Sequence, residues 1–321
     1  MKQKPWLRLT KPSTRSFTEE ARRIPGFSRL DWLHGYVYAR WPYLYIGVGT
    51  GEHPLARFIT PAVRLLGRLF PTKADDGQEP ATFAEGYHGK VVPLEAATQL
   101  VTVKEDVELR DLEQTIPYAR ARDIVLQHPD HIVALECPCR AVRANPCEPL
   151  DVCLVIGEPF ASFVGEFHPR RSRWISPEEA VDILRAEDER GHVHHAFFKD
   201  AMLGRFYAIC NCCSCCCGAM HSWNNGTPML ASSGFVARLD AGLCAGCGTC
   251  AESCQFGAIS VDNGLAVVEA MACMGCGICV SKCPQGAFSL VRDVTRGEPL
   301  EIQELIAQAA EPADNSLGSQ R

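Results

Sequence analysis

Two matching groups of four cysteines near the C-terminus constrain this chain more than any other feature of its sequence. Each group has the spacing C-x2-C-x2-C-x3-C, and the second group begins 29 positions after the first. The two groups are Cys244, Cys247, Cys250 and Cys254, and Cys273, Cys276, Cys279 and Cys283. The similarity continues in Gly257-Ala258 and Gly286-Ala287, which indicates a duplicated half-module.

The spacing within each group suits a cubane [4Fe-4S] cluster. C-x2-C turns direct three thiolates to three irons of one cubane, and the fourth cysteine lies far enough round the turn to reach the other cluster. The predicted ligands are Cys244, Cys247, Cys250 and Cys283 for cluster I, and Cys273, Cys276, Cys279 and Cys254 for cluster II. Glycines at 246, 248, 275 and 277 let the backbone approach the cluster sulfurs closely. Zinc also binds four thiolates, but two interlocked quartets are unusual for zinc.

This segment, residues 235–296, resembles the bacterial-type dicluster ferredoxin family. The resemblance implies a βαββαβ module that transfers single electrons. One position departs from the family pattern, because Cys283 is followed by Pro284 whereas Cys254 is followed by Gln255. The departure removes no predicted ligand.

Ten further cysteines lie upstream in two groups, and six of them crowd into eight residues. They are Cys137, Cys139, Cys147 and Cys153, and Cys210, Cys212, Cys213, Cys215, Cys216 and Cys217. Such density is not typical of isolated core cysteines and indicates binding of a soft metal. Because adjacent side chains point in different directions, we expect two sites or one site of unusual nuclearity.

The count of ten leaves several assignments open. It can supply eight ligands for two further [4Fe-4S] clusters, or one cluster with a zinc site or a redox-active thiol pair, or purely structural zinc. We predict one or two additional Fe-S clusters. The segments Cys137-Pro-Cys139-Arg140 and Ile209 to Cys217 resemble those of uncharacterised multi-cluster, polyferredoxin-like 4Fe-4S proteins. That resemblance spans residues from about 110 to 293 and implies electron transfer without naming a substrate.

The overall composition is that of a globular protein. The chain has 321 residues, 46% of them hydrophobic and 22% charged, which is enough for two domains with buried cores. We predict an α+β fold, with a cysteine-rich mixed α/β domain at 81–234 and the dicluster ferredoxin-like domain at 235–296. A basic N-terminal segment at 1–80 precedes them, bounded by a polar linker at 73–80. A tail at 297–321 follows, with one short helix near Ile302 to Ala309 and a disordered end.

Local patterns predict several elements of the middle region. Ser176-Pro-Glu-Glu179 predicts a helix start with a capping box, and Gly191 predicts its end. Ile132 to Leu135 predicts a buried strand leading to Cys137. Residues 100–103 and 107–109 are predicted to be extended, and residues 116–126 are predicted to be helical.

The N-terminal segment is the basic end of an acidic protein. Residues 1–70 carry 12 Lys and Arg against 4 Asp and Glu, whereas the whole chain has a net charge of −6. Within residues 55–70, Arg57, Arg64 and Arg68 share a helical face beside apolar side chains. This pattern predicts docking to an anionic membrane surface or a partner subunit, with core packing as the alternative. We expect redox partner proteins and no nucleic acid. The start has no apolar signal segment, and no run is long enough to cross a membrane, so we expect a cytoplasmic protein, either free or associated with the cytoplasmic face of the membrane.

Two groups of polar residues are weaker candidates. The arginines at 140, 143, 170, 171 and 173 could neutralise anionic clusters, but a solvated face is favoured. His192, His194 and His195 lack a regular ligand spacing, so a surface or helix-end role is favoured over a metal site.

The leading functional hypothesis is an iron-sulfur electron-transfer protein, either a carrier or a subunit of a redox complex. The alternative is an oxidoreductase whose cysteine-rich site at 137–217 reduces a disulfide or sulfur compound. A sensor that uses its clusters structurally is a third possibility. No nucleotide-binding or Ser/His/Asp motif is present in the sequence, and no catalytic residue is assigned.

Overall fold

The computed structural model describes residues 10–59, 61, 86–118 and 122–310. Its helices are α1 (Pro12–Ala21), α2 (Arg29–Arg40), α3 (Pro42–Gly49), α4 (Leu94–Val101), α5 (Pro138–Ala141), α6 (Phe160–Phe167), α7 (Pro177–Glu189), α8 (Gly218–Asn224), α9 (Thr249–Ser253), α10 (Ile278–Lys282) and α11 (Ile302–Ala310). Its strands are β1 (Tyr87–Val92), β2 (Val107–Leu109), β3 (Ile124–Leu135), β4 (Cys153–Glu158), β5 (Ser172–Ile175), β6 (Val193–Lys199), β7 (Arg205–Cys212), β8 (Leu230–Ala231), β9 (Phe235–Leu239), β10 (Ile259–Asp262), β11 (Leu265–Val268) and β12 (Phe288–Arg292). The fold is α+β.

An eight-stranded sheet organises residues 86–231, and with the helices that cover it forms the sheet domain. Its strand order is β2-β3-β4-β7-β6-β1-β8, and β5 pairs with β3. The pairs are antiparallel except β1 with β8. The central strands β6 and β7 are buried along almost their whole length, as expected for a sheet covered on both faces.

Alternation along the strands separates two cores. Val155 on β4 and Phe197 on β6 face the first core, whereas Ile156 and Phe198 face the second. The same alternation places Cys153, Cys210 and Cys212 on the side of the first core. The sheet therefore gathers cysteines from distant parts of the sequence onto one face.

Helices α1 to α3 and α6 cover this cysteine-bearing face. Phe17 of α1 and Tyr38 of α2 are buried in the first core, so the described part of the N-terminal segment packs on the sheet domain. The linker predicted at 73–80 lies outside the described residues. So does most of the basic amphipathic stretch, although Arg57 is described and Phe58 beside it is 63% exposed.

Helices α4, α7 and α11 cover the opposite face. Helix α7 begins as predicted, because the Ser176 hydroxyl accepts a hydrogen bond from the backbone N–H of Glu179 at 3.2 Å. The reciprocal half of the capping box is not formed, since the Glu179 carboxylate pairs with Arg173 instead. Helix α11 agrees closely with the helix predicted in the tail, and the disordered end predicted beyond it lies outside the described residues.

Two local predictions were wrong. The helix predicted at 116–126 is absent from its described residues, 116–118 and 122–126: Ile116 is buried in a bend, and Ile124 begins the twelve-residue strand β3. Leu100 and Val101 end helix α4 and are not extended. In both places short apolar runs are buried by the second core, and tertiary packing decides their conformation. The strand predicted at 132–135 is the second half of β3.

Residues 235–292 form a small unit of their own, the C-terminal module. Strand β9 pairs with β12, β10 pairs with β11, and α9 and α10 pack together. Its core contains Ala237, Ile259 and Phe288 together with several cysteines. Within the described part of the chain, no helix is both long and apolar enough to cross a membrane.

Candidate metal centre

All eighteen cysteines are free thiols in the structure. Those of the C-terminal module line two separate small cavities. One cavity is bordered by Cys244, Cys247, Cys250 and Cys283. The other is bordered by Cys254, Cys273, Cys276 and Cys279. Backbone N–H groups also point at sulfur, because Ala237 donates to Cys273 at 3.4 Å, and Ala258 and Ala287 donate to Cys254 and Cys283 at 3.3 Å. These thiols and donors suit anionic iron-sulfur clusters.

The repeat also appears in the backbone. Gly246 and Gly275 both have φ of +65°, and a side chain at either would collide with backbone of the other half of the module. Gly248 and Gly277 adopt left-handed conformations at the N-termini of α9 and α10. Glycine is the residue that accepts both demands.

The two cavities differ in their surroundings. Around the first, Cys247 is exposed, and the apolar side chain of Leu243, which precedes Cys244, is 52% exposed. Around the second, Cys276 and Phe256 pack against the first core of the sheet domain, and Met274 is buried in it. The first cavity therefore faces solvent, and the second faces the sheet domain.

Gln255 joins the C-terminal module to the sheet domain. Its Oε1 accepts a hydrogen bond from the backbone N–H of Ser214 at 2.8 Å, and its Nε2 donates to the carbonyl of Gly191 at 2.9 Å. Gln255 directly follows Cys254, and Ser214 lies within the six-cysteine segment 210–217. The position that departs from the dicluster ferredoxin pattern thus links the two cysteine regions.

In the sheet domain, eight of the other ten cysteines, all except Cys147 and Cys215, line one cavity of about 500 Å³ on the first-core face. Six of these eight come from four separate parts of the domain. Cys137 and Cys139 come from α5 and the residue before it, Cys153 from β4, Cys210 and Cys212 from β7, and Cys217 from the start of α8. Most of the remaining lining consists of apolar and aromatic side chains from α2, α3 and the sheet. The two cysteine groups predicted from the sequence therefore meet.

These six thiols form a connected series. Cys153 and Cys210 lie opposite each other in the β4–β7 pair, with 3.7 Å between their sulfurs. Cys137 shares thiol hydrogen bonds with Cys139 and Cys153, and Cys217 shares them with Cys139 and Cys212. The hydrogen bond with Cys139 together with burial raises the pKa of Cys137 to about 12. The hydrogen bond with Cys217 lowers the pKa of Cys212, but burial and the neighbouring cysteines, Cys210 first, together raise it to about 12. Metal binding here must release protons.

The remaining four cysteines form a tighter group. The sulfurs of Cys147, Cys213, Cys215 and Cys216 all lie within 4.8 Å of one another. Cys213 and Cys216 also border the large cavity, so the two sites adjoin. Cysteines adjacent in sequence belong to different sites, because Cys212 and Cys217 are part of the six-thiol series whereas Cys213 and Cys216 are part of the group of four.

The arginine at 140 was wrongly expected on a solvated face. It is 1% exposed, and its guanidinium donates to Glu187 Oε2 at 2.6 Å and to the carbonyls of Asn211 and Pro149 at 2.9 and 2.6 Å. His192 shares the same carboxylate at 2.7 Å. Burial opposes ionisation of Glu187, but the hydrogen bonds from His192 and Arg140 hold its pKa below the ordinary value. This buried network joins α5, α7 and β7 around the thiol cavity.

The other predicted polar residues divide. Arg143 is half-buried and donates to the carbonyl of Cys216, whereas the arginines at 170, 171 and 173 are exposed as expected. Of the surface or helix-end role predicted for the three histidines, the surface part is wrong, because His192, His194 and His195 are all buried. His192 does lie at the end of α7, where its backbone N–H donates to the carbonyl of Glu187 at 2.9 Å. Burial lowers the pKa of His195 to about 3, so it is neutral. Among the described residues, none of the three belongs to a compact group of metal ligands.

Aromatic residues of the cavity had not been predicted. The hydroxyls of Tyr38 and Tyr207 are 2.7 Å apart, and the buried ammonium of Lys199 lies 4.8 Å from the Tyr38 ring centroid and 4.7 Å from that of Tyr87. Burial lowers the pKa of Lys199 to about 8. The only sequence feature that could have indicated this buried lysine is the run at 193–199, in which basic side chains interrupt apolar ones.

Comparison with known proteins bears on the C-terminal module. No curated protein matches the chain. Residues 243–288 match the family model of the 4Fe-4S dicluster domain, and this segment contains all eight cysteines of the duplicated motif. The C-terminal module therefore carries two [4Fe-4S] clusters.

Proposed function

We propose that this protein is an electron-transfer protein of the polyferredoxin type, a carrier or a subunit of a redox complex. When bound, each [4Fe-4S] cluster accepts and releases one electron. We assign Cys244, Cys247, Cys250 and Cys283 to the outer cluster, and Cys254, Cys273, Cys276 and Cys279 to the inner one. The order of strands and helices in residues 235–292 supports the ferredoxin-like βαββαβ arrangement.

The observation that carries the proposal is the attachment of the inner cluster site to the sheet domain. Gln255 holds Ser214 and Gly191 through its side chain, and Lys282 donates to the carbonyl of Glu189. These contacts hold Cys276 of the inner site against the core that contains the thiol cavity. Electrons would enter at the exposed side near Cys247, where a redox partner can approach, and leave toward the sheet domain.

We further propose that the six-thiol cavity holds an additional iron-sulfur cluster. The set is soft and thiolate-rich, it is buried, and its sulfurs border a space larger than a single ion needs. The apolar walls would exclude water from the cluster. Hydrogen bonds to the cysteine sulfurs and burial would together set its reduction potential. A reducing compartment such as the cytoplasm suits eighteen free thiols.

An anaerobic redox titration followed by EPR tests the function. Both module clusters should show reversible one-electron reduction within the range of roughly −700 to +450 mV that protein clusters span. Clusters that stay in one state over that range would mean a structural role. Electron transfer to the sheet domain should slow in Gln255→Leu. It should not slow in the control Gln285→Leu, because Gln285, which follows the Pro284 equivalent of Gln255 in the second half of the repeat, has an exposed side chain.

Iron and sulfide analysis tests the additional cluster. Two cubanes give about eight irons, and an additional cubane gives about twelve. Cys153→Ser/Cys210→Ser should bring the higher value down to about eight. About eight irons in both proteins would remove the additional cluster.

The same cavity supports a second candidate, a reductase of disulfides or sulfur compounds. About 500 Å³ of mainly apolar space beside paired thiols also suits a small substrate. In that case two electrons and two protons convert a disulfide into two thiols. Rapid reoxidation of the reduced protein by a disulfide, abolished in Cys153→Ser/Cys210→Ser while the module clusters remain, would favour this candidate.

A further inference from the structure

The ten upstream cysteines separate into two sites of different chemistry. From the spacing of their sulfurs we propose that Cys147, Cys213, Cys215 and Cys216 bind a single tetrahedral metal ion, zinc or iron, without inorganic sulfide. This site is distinct from the six-thiol cavity and from the two cluster sites of the C-terminal module.

The sulfur spacing carries the assignment. The distances from Cys147 to Cys213 and Cys216, and from Cys215 to Cys216, are 3.7 Å, and the distance from Cys147 to Cys215 is 3.1 Å. Four thiolates at about 2.3 Å from one zinc ion stand about 3.8 Å apart at the corners of a tetrahedron. A cubane spreads its thiolates over four different irons, so they stand farther apart.

The C-terminal module provides an internal comparison. Its eight cysteines are all described, yet no three of them gather their sulfurs within 4.8 Å as the four upstream thiols do. The six-thiol cavity has no such group within the described residues either. The four upstream thiols thus form one compact group, whereas sulfurs of the six-thiol cavity meet in series, as Cys153 and Cys210 do at 3.7 Å.

The surroundings suit a closed structural ion. Four thiolates and a dication leave two negative charges, and the Arg143 guanidinium lies next to them, 3.2 Å from the carbonyl of Cys216. His221 Nε2 lies 3.2 Å from the carbonyl of Cys215. These contacts fix the ligand loop from outside, as partners around a metal site usually do. All four positions are taken by protein sulfur, as in structural zinc sites.

The position of the ion explains what it would do. The loop that carries three ligands also contains Ser214, which Gln255 holds from the C-terminal module, and it is flanked by Cys212 and Cys217 of the six-thiol cavity. An ion on this loop ties it to the Cys147 segment. It thereby fixes both the docking point of the module and two thiols of the cavity.

X-ray absorption of the anaerobically purified, full-length protein tests the site directly. If the ion is zinc, the extended fine structure above the zinc edge should show about four sulfurs near 2.3 Å and no iron neighbour. Elemental analysis should then give about one zinc per chain. If iron occupies the site, a fraction of the iron corresponding to one ion should lack sulfide, and that ion should show the high-spin ferric signal of a tetrathiolate after the protein has been oxidised. A metal shell containing nitrogen or oxygen, or an iron neighbour, would overturn the assignment.

A pair of variants locates the ion. Cys147→Ser/Cys215→Ser should lose one metal ion per chain with acid-labile sulfide unchanged, while the matched Cys153→Ser/Cys210→Ser variant keeps that ion. Loss of several irons together with their sulfide in the first variant would show a cluster instead. No change in metal content would equally refute the proposal. The spectrum of the wild-type protein decides the matter even if a variant fails to fold.

Discussion

Arg140 and Glu187 provide a demanding test of how the thiol cavity is supported. Both side chains are essentially inaccessible, with 1% and 0% exposure, and their charged atoms are 2.6 Å apart. Replacing Arg140 by Met keeps most of the volume but leaves the Glu187 carboxylate buried with weaker compensation. It also removes the donor to the carbonyls of Asn211 and Pro149.

The expected cost follows from these contacts. Breaking one side of a buried ion pair costs about 3–5 kcal/mol, and each carbonyl left without a donor adds about 1 kcal/mol. Arg140→Met should therefore destabilise the sheet domain by about 5–7 kcal/mol. In Arg140→Met/Glu187→Leu no buried charge is stranded. The two carbonyls and His192 lose partners, and so does Arg190, which is exposed enough to be solvated instead. The double variant should cost about 2–3 kcal/mol, less than the single one.

Anaerobic thermal unfolding followed by far-UV circular dichroism measures the difference. For a domain of this size, 1 kcal/mol shifts Tm by about 2–4 °C, so the single variant should unfold at least 10 °C below wild type. The double variant should recover roughly half of the loss. If the losses of stability from the two substitutions simply add, or if Arg140→Met unfolds like wild type, the buried ion pair does not stabilise the sheet domain around the cavity.

Two other outcomes follow from the structure. Gly246→Ala should lower the iron content of the C-terminal module because the new methyl group would collide with the backbone of Gly264. Gly248→Ala places its methyl group in open space, so it should lower the free energy of unfolding by only about 1–2 kcal/mol. Equal iron loss in both variants would contradict the steric explanation. Lys90 is buried on β1, where burial and then the charge of Arg292 lower its pKa to about 7, against the ordinary 10.5. Lys90 therefore loses its proton near pH 7 in the folded state but only near pH 10 in the unfolded state, so the free energy of unfolding of wild type should rise between these values. The rise should be smaller in Lys90→Met. Parallel profiles of Tm against pH for the two proteins would refute the assignment.

The predictions from sequence succeeded where the spacing of residues along the chain decides the geometry. Within each half of the C-terminal module every cysteine lies within a few residues of the next, so the turns bring three cysteines to each cavity, and the other half of the repeat supplies the fourth. The Ser176 cap is equally local, since donor and acceptor are three residues apart. Such features need no knowledge of the tertiary fold.

The predictions failed where distant segments meet. Arg140 is buried only because Glu187 on α7 and the Asn211 carbonyl on β7 lie beside it, and no sequence pattern connects these positions. The strand beginning at Ile124 has short apolar runs that also fit a helix, and pairing with β2 and β4 decides the outcome. The separation of the ten upstream thiols into groups of six and four likewise depends on which side of the loop at 213–216 each sulfur faces.

The break in the internal repeat has a physical reading. The two halves of the C-terminal module are equivalent, yet the position after the fourth cysteine is Pro284 in one half and Gln255 in the other. Pro284 is exposed, whereas both polar atoms of the Gln255 side chain form hydrogen bonds with the sheet domain. A proline there has neither a donor nor an acceptor in its side chain. The departure therefore exchanges a residue suited to a free module for one that fixes the module in place, and it does so beside Cys254 of the inner site. A carrier that diffuses between partners needs no such contact. A module held in one orientation against a thiol cavity does, which favours electron transfer along a fixed internal route.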